Sequence, residues 1–211
     1  MKLQIGQSIF GKDLDEIYTE IFKIFNTPTN YSALYQLIKN YSSSAVTKKD
    51  IDCIDILLKN TSNLKKIAIV GGNFPITYLV KIHKQYPNIE FVIIDEGYFI
   101  SFLEDYLKTK FNLNIIKLNP LFDDISEHIL DVDLIIYPET ELLVPFNMLK
   151  YKNTKLIFAV NFFYVDYKLN INQAYSAEDL EDLCCIQNSI KGHVEVNGKK
   201  AYYVLGKPYD N

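Results

Sequence analysis

The second part of the chain alternates short β-rich runs with helical patterns, and this alternation constrains the fold more than any other feature. Runs rich in Ile, Val, Leu and Phe predict strands at residues 65–71, 90–95, 114–119, 133–137 and 154–161. Between the second and third runs, apolar residues recur with helical spacing. This order indicates βαβ units and therefore a mostly parallel sheet.

The chain closes with two more β-rich runs, KGHVEV and KKAYYVLG, joined by Asn197 and Gly198. Asn-Gly between two alternating runs is the strongest short signal for a β-hairpin. Before them, Ser176 is placed to cap a short acidic helix, AEDLEDL. The sequence therefore predicts a Rossmann-like α/β domain over residues 63–211, whose mostly parallel sheet ends in an antiparallel hairpin.

Residues 1–62 differ in character, because they contain helical patterns and no convincing strand. The first pattern begins near Asp13, and the second covers about residues 31–41. A third opens at Thr47, with Asp50 three residues later as its partner in a capping box. We predict that this region is an N-terminal helical cap, through which the chain forms a homodimer.

Charge and composition limit the classes of partner. The 211 residues are 48% hydrophobic, so the chain can bury a sizeable core. Its net charge is −4 and its pI is about 5.4, so we expect no strong nucleic-acid binding.

Cysteine and histidine usage gives no sign of a disulfide framework or a metal site. No two of the three cysteines, and no two of the histidines, have the short sequence spacing that is typical of metal ligands, so no metal site is predicted. The N-terminus has no signal-peptide core, and no run of apolar residues is long enough for a membrane span. We expect a cytoplasmic protein with no membrane partner.

The stretch IAIVGGNFPIT predicts a strand, a tight turn and a helix that begins near Pro75. From Gly71 the residues read G-G-N-F-P-I, which lacks the glycine set of a dinucleotide fingerprint. A Walker lysine is missing as well, so a phosphate-gripping loop is disfavoured. S-adenosylmethionine has no phosphates and needs only a close backbone approach here, which Gly71, Gly72 and Asn73 would allow.

An acidic residue follows the next predicted strand, where a ribose would lie. Asp95 comes 24 residues after Gly71, and its carboxylate can accept hydrogen bonds from both ribose hydroxyls. We add Glu96 beside it as a second candidate. A Gly-Gly pair is often only a turn and a lone acidic residue is often only solvated, but their placement in consecutive βα units favours a cofactor cleft.

From residue 65 to its end, the sequence resembles the class I S-adenosylmethionine-dependent methyltransferase superfamily. The loop VGGNFPIT is also similar to that of nicotianamine synthase-like enzymes, which use the aminobutyryl part of the same cofactor. The resemblance implies S-adenosylmethionine as the cofactor, with methyl transfer as the first expectation and aminobutyryl transfer as an alternative. It also implies that Asp123, after the third strand, lies near the adenine amino group, although a solvated loop charge is an equal alternative.

A narrower similarity is to small methyltransferase-like proteins of large phage genomes, whose fourth strand ends Asn-Thr-Ser-x-Glu-His-Met. Here the matching stretch is DLIIYPETELL, in which Glu141 matches the glutamate. The family asparagine after the fifth strand matches Asn161, and VLG matches the end of the hairpin. Tyr137 stands in the place of the first asparagine, Glu139 in that of the serine and Leu142 in that of the histidine, so any acid or base function of that histidine is lost.

The end of the fourth strand supplies the candidate catalytic residues Tyr137, Glu139 and Glu141. YPET does not match the Asn/Asp-Pro-Pro-Tyr/Phe motif of enzymes that methylate DNA amino groups, and no Pro-Cys pair is present, so methylation of DNA bases is disfavoured. The expected acceptor is a small molecule or another acceptor that the sequence leaves undetermined. Either glutamate would serve as a general base or bind an amino group of the acceptor. The alternative is that these carboxylates only begin a helix. A non-catalytic binding or assembly protein also remains open.

Overall fold

The computed structural model describes residues 16, 17, 19–21, 23, 44–71, 75–95, 98–120, 122–140, 151, 153–162 and 172–209. The helices are α1 (Ser44–Lys59), α2 (Ile76–Gln85), α3 (Tyr98–Lys110) and α4 (Ala177–Leu183), with a 3-10 turn at Ser126–His128. The strands are β1 (Lys66–Val70), β2 (Glu90–Ile94), β3 (Leu113–Ile116), β4 (Leu134–Tyr137), β5 (Leu156–Phe162), β6 (Ile186–Val196) and β7 (Lys199–Pro208).

These strands form one sheet in the order β3-β2-β1-β4-β5-β7-β6. Neighbours among β1 to β5 pair in parallel, whereas β7 runs antiparallel to both β5 and β6. The predicted fold class is therefore confirmed. All five parallel strands form where the β-rich runs predict them, although β3 ends at Ile116, three residues earlier than expected.

Both faces of the sheet are covered, which is why its central strands are almost continuously apolar. Ile67 and Ile69 of β1 pack on one face with α1, α2 and α3. Ala68 and Val70 pack on the other face with α4 and the 3-10 turn. Among the described residues, no helix has the length and apolar character needed to cross a bilayer.

The terminal hairpin forms as predicted. Asn197 and Gly198 have φ angles of 53° and 74°, the positive values that a two-residue hairpin turn requires. Strand β6 begins at Ile186, earlier than the predicted run, and its register shifts between Gln187 and Ile190. The predicted cap of α4 is confirmed, because the Ser176 hydroxyl accepts a 3.0 Å hydrogen bond from the amide of Asp179.

Helix α1 starts earlier than predicted. It begins at Ser44, so Thr47 lies inside the helix and the predicted capping box with Asp50 is wrong. Lys49, in the first half of the helix, contacts the carbonyl of Pro138, and local capping signals do not report such a contact. Ile54 and Leu57 pack in the same hydrophobic cluster as β1. The domain boundary at residue 62 stays a prediction. The described residues among 16–23 are helical, and the predicted helix at 31–41 lies outside the described residues.

Asp133 connects β1, β4 and β5 at the end of the sheet where these three strands begin. Its Oδ2 accepts hydrogen bonds from the amides of Lys65 and Lys66, at 2.7 and 3.0 Å, and its other oxygen pairs with Lys155. Burial opposes ionisation of this carboxyl, but the bonds from Lys155 and the two amides hold its pKa below the ordinary value. The ionised form therefore stabilises the fold.

We expect Asp133→Ala to lower the free energy of unfolding at neutral pH by about 2 kcal/mol, because charged hydrogen bonds to backbone amides are lost. The contribution of Asp133 is present above its unfolded-state pKa of about 4 and is lost as pH falls through the lower folded-state pKa. Urea unfolding followed by circular dichroism measures it, with Asp105→Ala on the exposed face of α3 as control. Equal unfolding midpoints for the two variants would contradict this role.

Candidate functional site

The strand order defines the end of the sheet at which a cleft for a ligand is expected. The chain builds β1, β2 and β3 in one direction and then returns to β4 on the other side of β1. In sheets of this kind, ligands bind outside the carboxyl ends of the strands, at the point where the direction reverses. Gly71 after β1, Asp95 after β2 and Glu139 after β4 all lie at this edge.

Gly71 has a backbone that favours glycine. Its φ angle is 69°, in the left-handed region, and its amide donates a 2.9 Å hydrogen bond to the carbonyl of Ile94. The turn after β1 is therefore fixed against β2 by a residue without a side chain. Its predicted neighbours Gly72 and Asn73 lie outside the described residues.

Asp95 is held at the end of β2 and is nearly buried, with 6% of its surface exposed. Its amide donates a 3.1 Å hydrogen bond to the carbonyl of Ile116, which extends the ladder between β2 and β3. The carboxylate therefore sits at a defined position beside the turn of Gly71. Glu96 lies outside the described residues.

Asp123 lies in the turn after β3 and is half-buried. Its Oδ2 accepts a 2.8 Å hydrogen bond from the amide of Asn119, and its own amide donates to the Asn119 carbonyl at 2.8 Å. The carboxylate thus stabilises this turn. Its predicted contact with adenine stays a prediction.

The three candidates after β4 are placed differently. Tyr137 packs in the cluster on the α4 face of the sheet, near Tyr151 and Cys184, and burial raises the pKa of its hydroxyl. Glu139 is half-buried and lies toward α1 and α2, whereas Glu141 is outside the described residues. The structure thus separates Tyr137 from the helices on the other face, and its catalytic role stays a prediction.

Asn161, the residue matched to the family asparagine, is buried in a polar network. Its amide nitrogen donates to the hydroxyl of Thr140 at 2.8 Å and to the carbonyl of Asn172 at 2.9 Å. The Asn172 side chain donates in turn to the carbonyl of Thr140 at 3.0 Å. The network joins the segment after β4 to the segment before α4, so it fixes both segments against the end of β5.

A buried lysine anchors α1 to the same edge. Lys49 is 1% exposed, and its Nζ donates to the carbonyl of Pro138 at 3.3 Å and lies 3.2 Å from Oδ1 of Asp50. The same cation lies 5.7 Å from the ring centre of Phe162, at the end of β5. These contacts bring Asp50 to the carboxyl ends of β4 and β5.

Asp50 and Tyr78 meet beside this lysine. The Asp50 side chain as a whole is 15% exposed, but its Oδ1 is buried, and its contact with Lys49 is an ion pair without hydrogen-bond geometry. The Tyr78 hydroxyl is buried too and lies close enough to the Asp50 carboxyl for the two groups to interact, but without normal hydrogen-bond geometry. Burial raises the pKa of Asp50 to about 6 against the attraction of Lys49, and the charge of Glu139 raises it further. Burial and the nearby Asp50 likewise raise the pKa of Tyr78.

The raised pKa gives stability a pH dependence of defined sign. Between about pH 4 and about pH 6 the folded chain binds more protons at Asp50 than the unfolded chain, so stability falls as pH rises. We expect this effect to be about 2 kcal/mol, allowing for the remaining exposure of the side chain. Asp50→Asn should remove it, which urea unfolding across this range measures. Parallel pH profiles for the two proteins would contradict the assignment.

Sequence reasoning missed Lys49, Asp50 and Tyr78, since the helical pattern placed Asp50 in a cap. A signal was available in the spacing. Asp50 lies four residues before Ile54 and seven before Leu57, so it occupies the apolar stripe of its own helix. A carboxylate on a buried stripe needs a partner, and this need marks it as a site candidate.

Comparisons with known proteins identify the fold. No protein-family model matches the sequence. None of the curated proteins compared with it matches either. Solved structures do match, and among them is the S-adenosylmethionine-dependent methyltransferase SibL in its apo form, with 9% identity and a TM-score of 0.55 over 90% of this chain and 61% of that one.

Two other matches cover nearly the whole of the related chain. A SAM-dependent methyltransferase from Aquifex aeolicus has 19% identity and a TM-score of 0.52 over 80% of this chain and 95% of that one. The plantazolicin methyltransferase BpumL, in complex with SAH, has 14% identity and a TM-score of 0.53. The match covers 92% of this chain and 99% of that one. Together with the strand order, these matches show that the chain has the fold of class I S-adenosylmethionine-dependent methyltransferases.

Proposed function

We propose that this protein binds S-adenosylmethionine at the carboxyl ends of β1 and β2 and transfers the methyl group to a small-molecule acceptor. One observation carries the proposal: the positive-φ Gly71 and the nearly buried Asp95 lie side by side where the strand order reverses. The structural relatives named as methyltransferases support it.

The residues at this edge fit such a cofactor. Gly71 lets a ligand approach the backbone, and the Asp95 carboxylate can accept hydrogen bonds from two ribose hydroxyls. Neither group requires a phosphate. When bound, S-adenosylmethionine supplies an electrophilic methyl group on a sulfonium, so the task of the protein is to align the acceptor with it.

The features at the end of β4 favour a small acceptor over a nucleic acid. YPET lacks the motif that holds a DNA amino group, and the net charge of −4 provides no general attraction for phosphates. Glu139 lies close enough to Asp50 of α1 and Tyr78 of α2 for its charge to act on both. We therefore place the acceptor on the α1 side of the cleft.

The loop VGGNFPIT supports a second candidate, aminobutyryl transfer from the same cofactor. The two reactions leave different nucleosides. Methyl transfer leaves S-adenosylhomocysteine, and aminobutyryl transfer leaves 5′-methylthioadenosine. The identity of the nucleoside product therefore decides between them.

The test is to incubate the purified protein with S-adenosylmethionine and fractions of a small-molecule extract, and to separate the products by chromatography. We expect S-adenosylhomocysteine to form with specific fractions, and this product to disappear with Asp95→Ala. Accumulation of 5′-methylthioadenosine would instead support aminobutyryl transfer. If the cofactor binds and neither nucleoside forms with any fraction, the protein is a non-catalytic binding protein and the proposal is wrong.

A further inference from the structure

Four side chains from separate parts of the chain meet on the α1 side of the cleft, and we refer to Lys49, Asp50, Tyr78 and Glu139 as the Asp50 cluster. Lys49 and Asp50 come from α1, Tyr78 is the third residue of α2, and Glu139 follows β4. The Pro138 carbonyl that receives Lys49 lies at the end of β4, next to β1 in the sheet. The cluster therefore borders the position where the strand order reverses.

The charges in the cluster are unequal, since one lysine faces two carboxylates. The Lys49 ammonium is already committed to the Pro138 carbonyl, to the Phe162 ring and to one ion pair with Asp50. The Glu139 charge acts on both Asp50 and Tyr78 and opposes their ionisation. With both carboxylates ionised, the cluster carries excess negative charge at a buried position.

Hydrogen-bond acceptors in the cluster exceed the donors that the described residues supply. Oδ1 of Asp50 and the hydroxyl of Tyr78 are buried and make no normal hydrogen bond with a described residue. Buried polar atoms are nearly always paired, so two such atoms without normal hydrogen-bond geometry, close to the carboxyl end of β4, point to a bound donor. The donor that suits this site is cationic and carries several N–H groups.

We propose that the Asp50 cluster binds the amino group of the acceptor, with Asp50, Tyr78 and Glu139 receiving its N–H groups. This inference rests on the proposed function and specifies its substrate as an amine. An alkylammonium has no free electron pair, so one proton must leave before the nitrogen can react. The Asp50 carboxylate is placed to accept it: an N–H bond breaks, an O–H bond forms, and the lone pair stays on nitrogen.

The experiment measures binding of amines directly. The protein is saturated with S-adenosylhomocysteine, and primary amines from methylamine to spermidine are tested by saturation-transfer NMR, together with alcohols and carboxylates of matching skeleton. Isothermal titration then compares the best amine on wild type, Asp50→Asn, Tyr78→Phe and Glu139→Gln. Glu90→Gln is the matched control, because Glu90 is exposed at the opposite end of β2.

We expect amines to bind in preference to their alcohols and carboxylates, and Asp50→Asn to weaken the best amine about tenfold or more. Tyr78→Phe keeps the shape of the core and should weaken it by a smaller factor, while Glu90→Gln should bind as wild type does. The inference is overturned if no amine binds at millimolar concentration, or if Asp50→Asn and Glu90→Gln bind the amine equally well. Titration of S-adenosylhomocysteine alone separates the two proposals: if it binds and the amines do not, only the amine inference fails.

Discussion

Replacing Asp95 by alanine is expected to weaken binding of S-adenosylhomocysteine about 100-fold, since two charged hydrogen bonds to the ribose of about 1.5 kcal/mol each would be lost. Asp95 is fixed at the end of β2 by the bond of its amide to Ile116 and is nearly buried. In the alanine variant, a water molecule that fills the space of the carboxylate would not be held in the same orientation toward the ribose. Isothermal titration of wild type and variant gives the ratio of the two dissociation constants.

The control for this effect is on the same strand. Glu90 begins β2, at the far end from the cleft, and forms an exposed ion pair with Lys66. Exposed pairs of this kind contribute little to stability, so Glu90→Ala should bind the nucleoside as wild type does. Far-ultraviolet circular dichroism establishes that both variants are folded. Equal affinity of Asp95→Ala and Glu90→Ala would show that the ribose is not bound by Asp95.

The second large effect concerns Gly206 in β7, which pairs with Ile157 of β5. A Cβ atom added there would lie 2.5 Å from Cγ2 of Ile186 and 2.7 Å from the carbonyl oxygen of Gln187. The Gln187 carbonyl belongs to the irregular part of β6, where the register shifts, so relief of the clash requires movement of the backbone. We expect Gly206→Ala to lower the free energy of unfolding by about 3 to 4 kcal/mol, near the upper end of the range for overpacking.

Gly192 in β6 provides the matched control. The three atoms nearest to a Cβ added there all belong to the side chain of Tyr203, at 2.8 to 3.4 Å, so relief of the contact requires movement of a side chain and not of the backbone. Gly192→Ala should therefore cost less than about 1 kcal/mol. Urea unfolding of the two variants gives the difference. Similar unfolding midpoints for both would mean that the sheet edge adjusts easily and that the contact of Gly206 with Ile186 does not restrain it.

The parallel strands and the hairpin were predictable because their signals are local. Runs rich in β-branched and aromatic residues formed β1, β2 and β5, and Asn197 with Gly198 formed the turn between β6 and β7. The contact of Lys49 with Pro138 was not predictable, since it crosses 89 residues of sequence. Long-range contacts of this kind leave no pattern near the residue that makes them.

The candidate site was predictable only in part for the same reason. Gly71 and Asp95 lie where strand order and loop chemistry placed them. Tyr137, chosen for its position in the chain, lies on the α4 face of the sheet because side chains alternate along a strand. Asp50 entered the site from a helix that the sequence assigned to a separate cap, and only the packed structure brings it beside Glu139.

Isothermal titration of the wild-type protein with S-adenosylmethionine and S-adenosylhomocysteine tests the central claim most directly. A sheet edge built around Gly71 and Asp95 predicts saturable heat with one nucleoside bound per chain, for both compounds. Circular dichroism on the same sample establishes that the protein is folded. A folded protein that releases or absorbs no heat at sub-millimolar nucleoside would contradict the account.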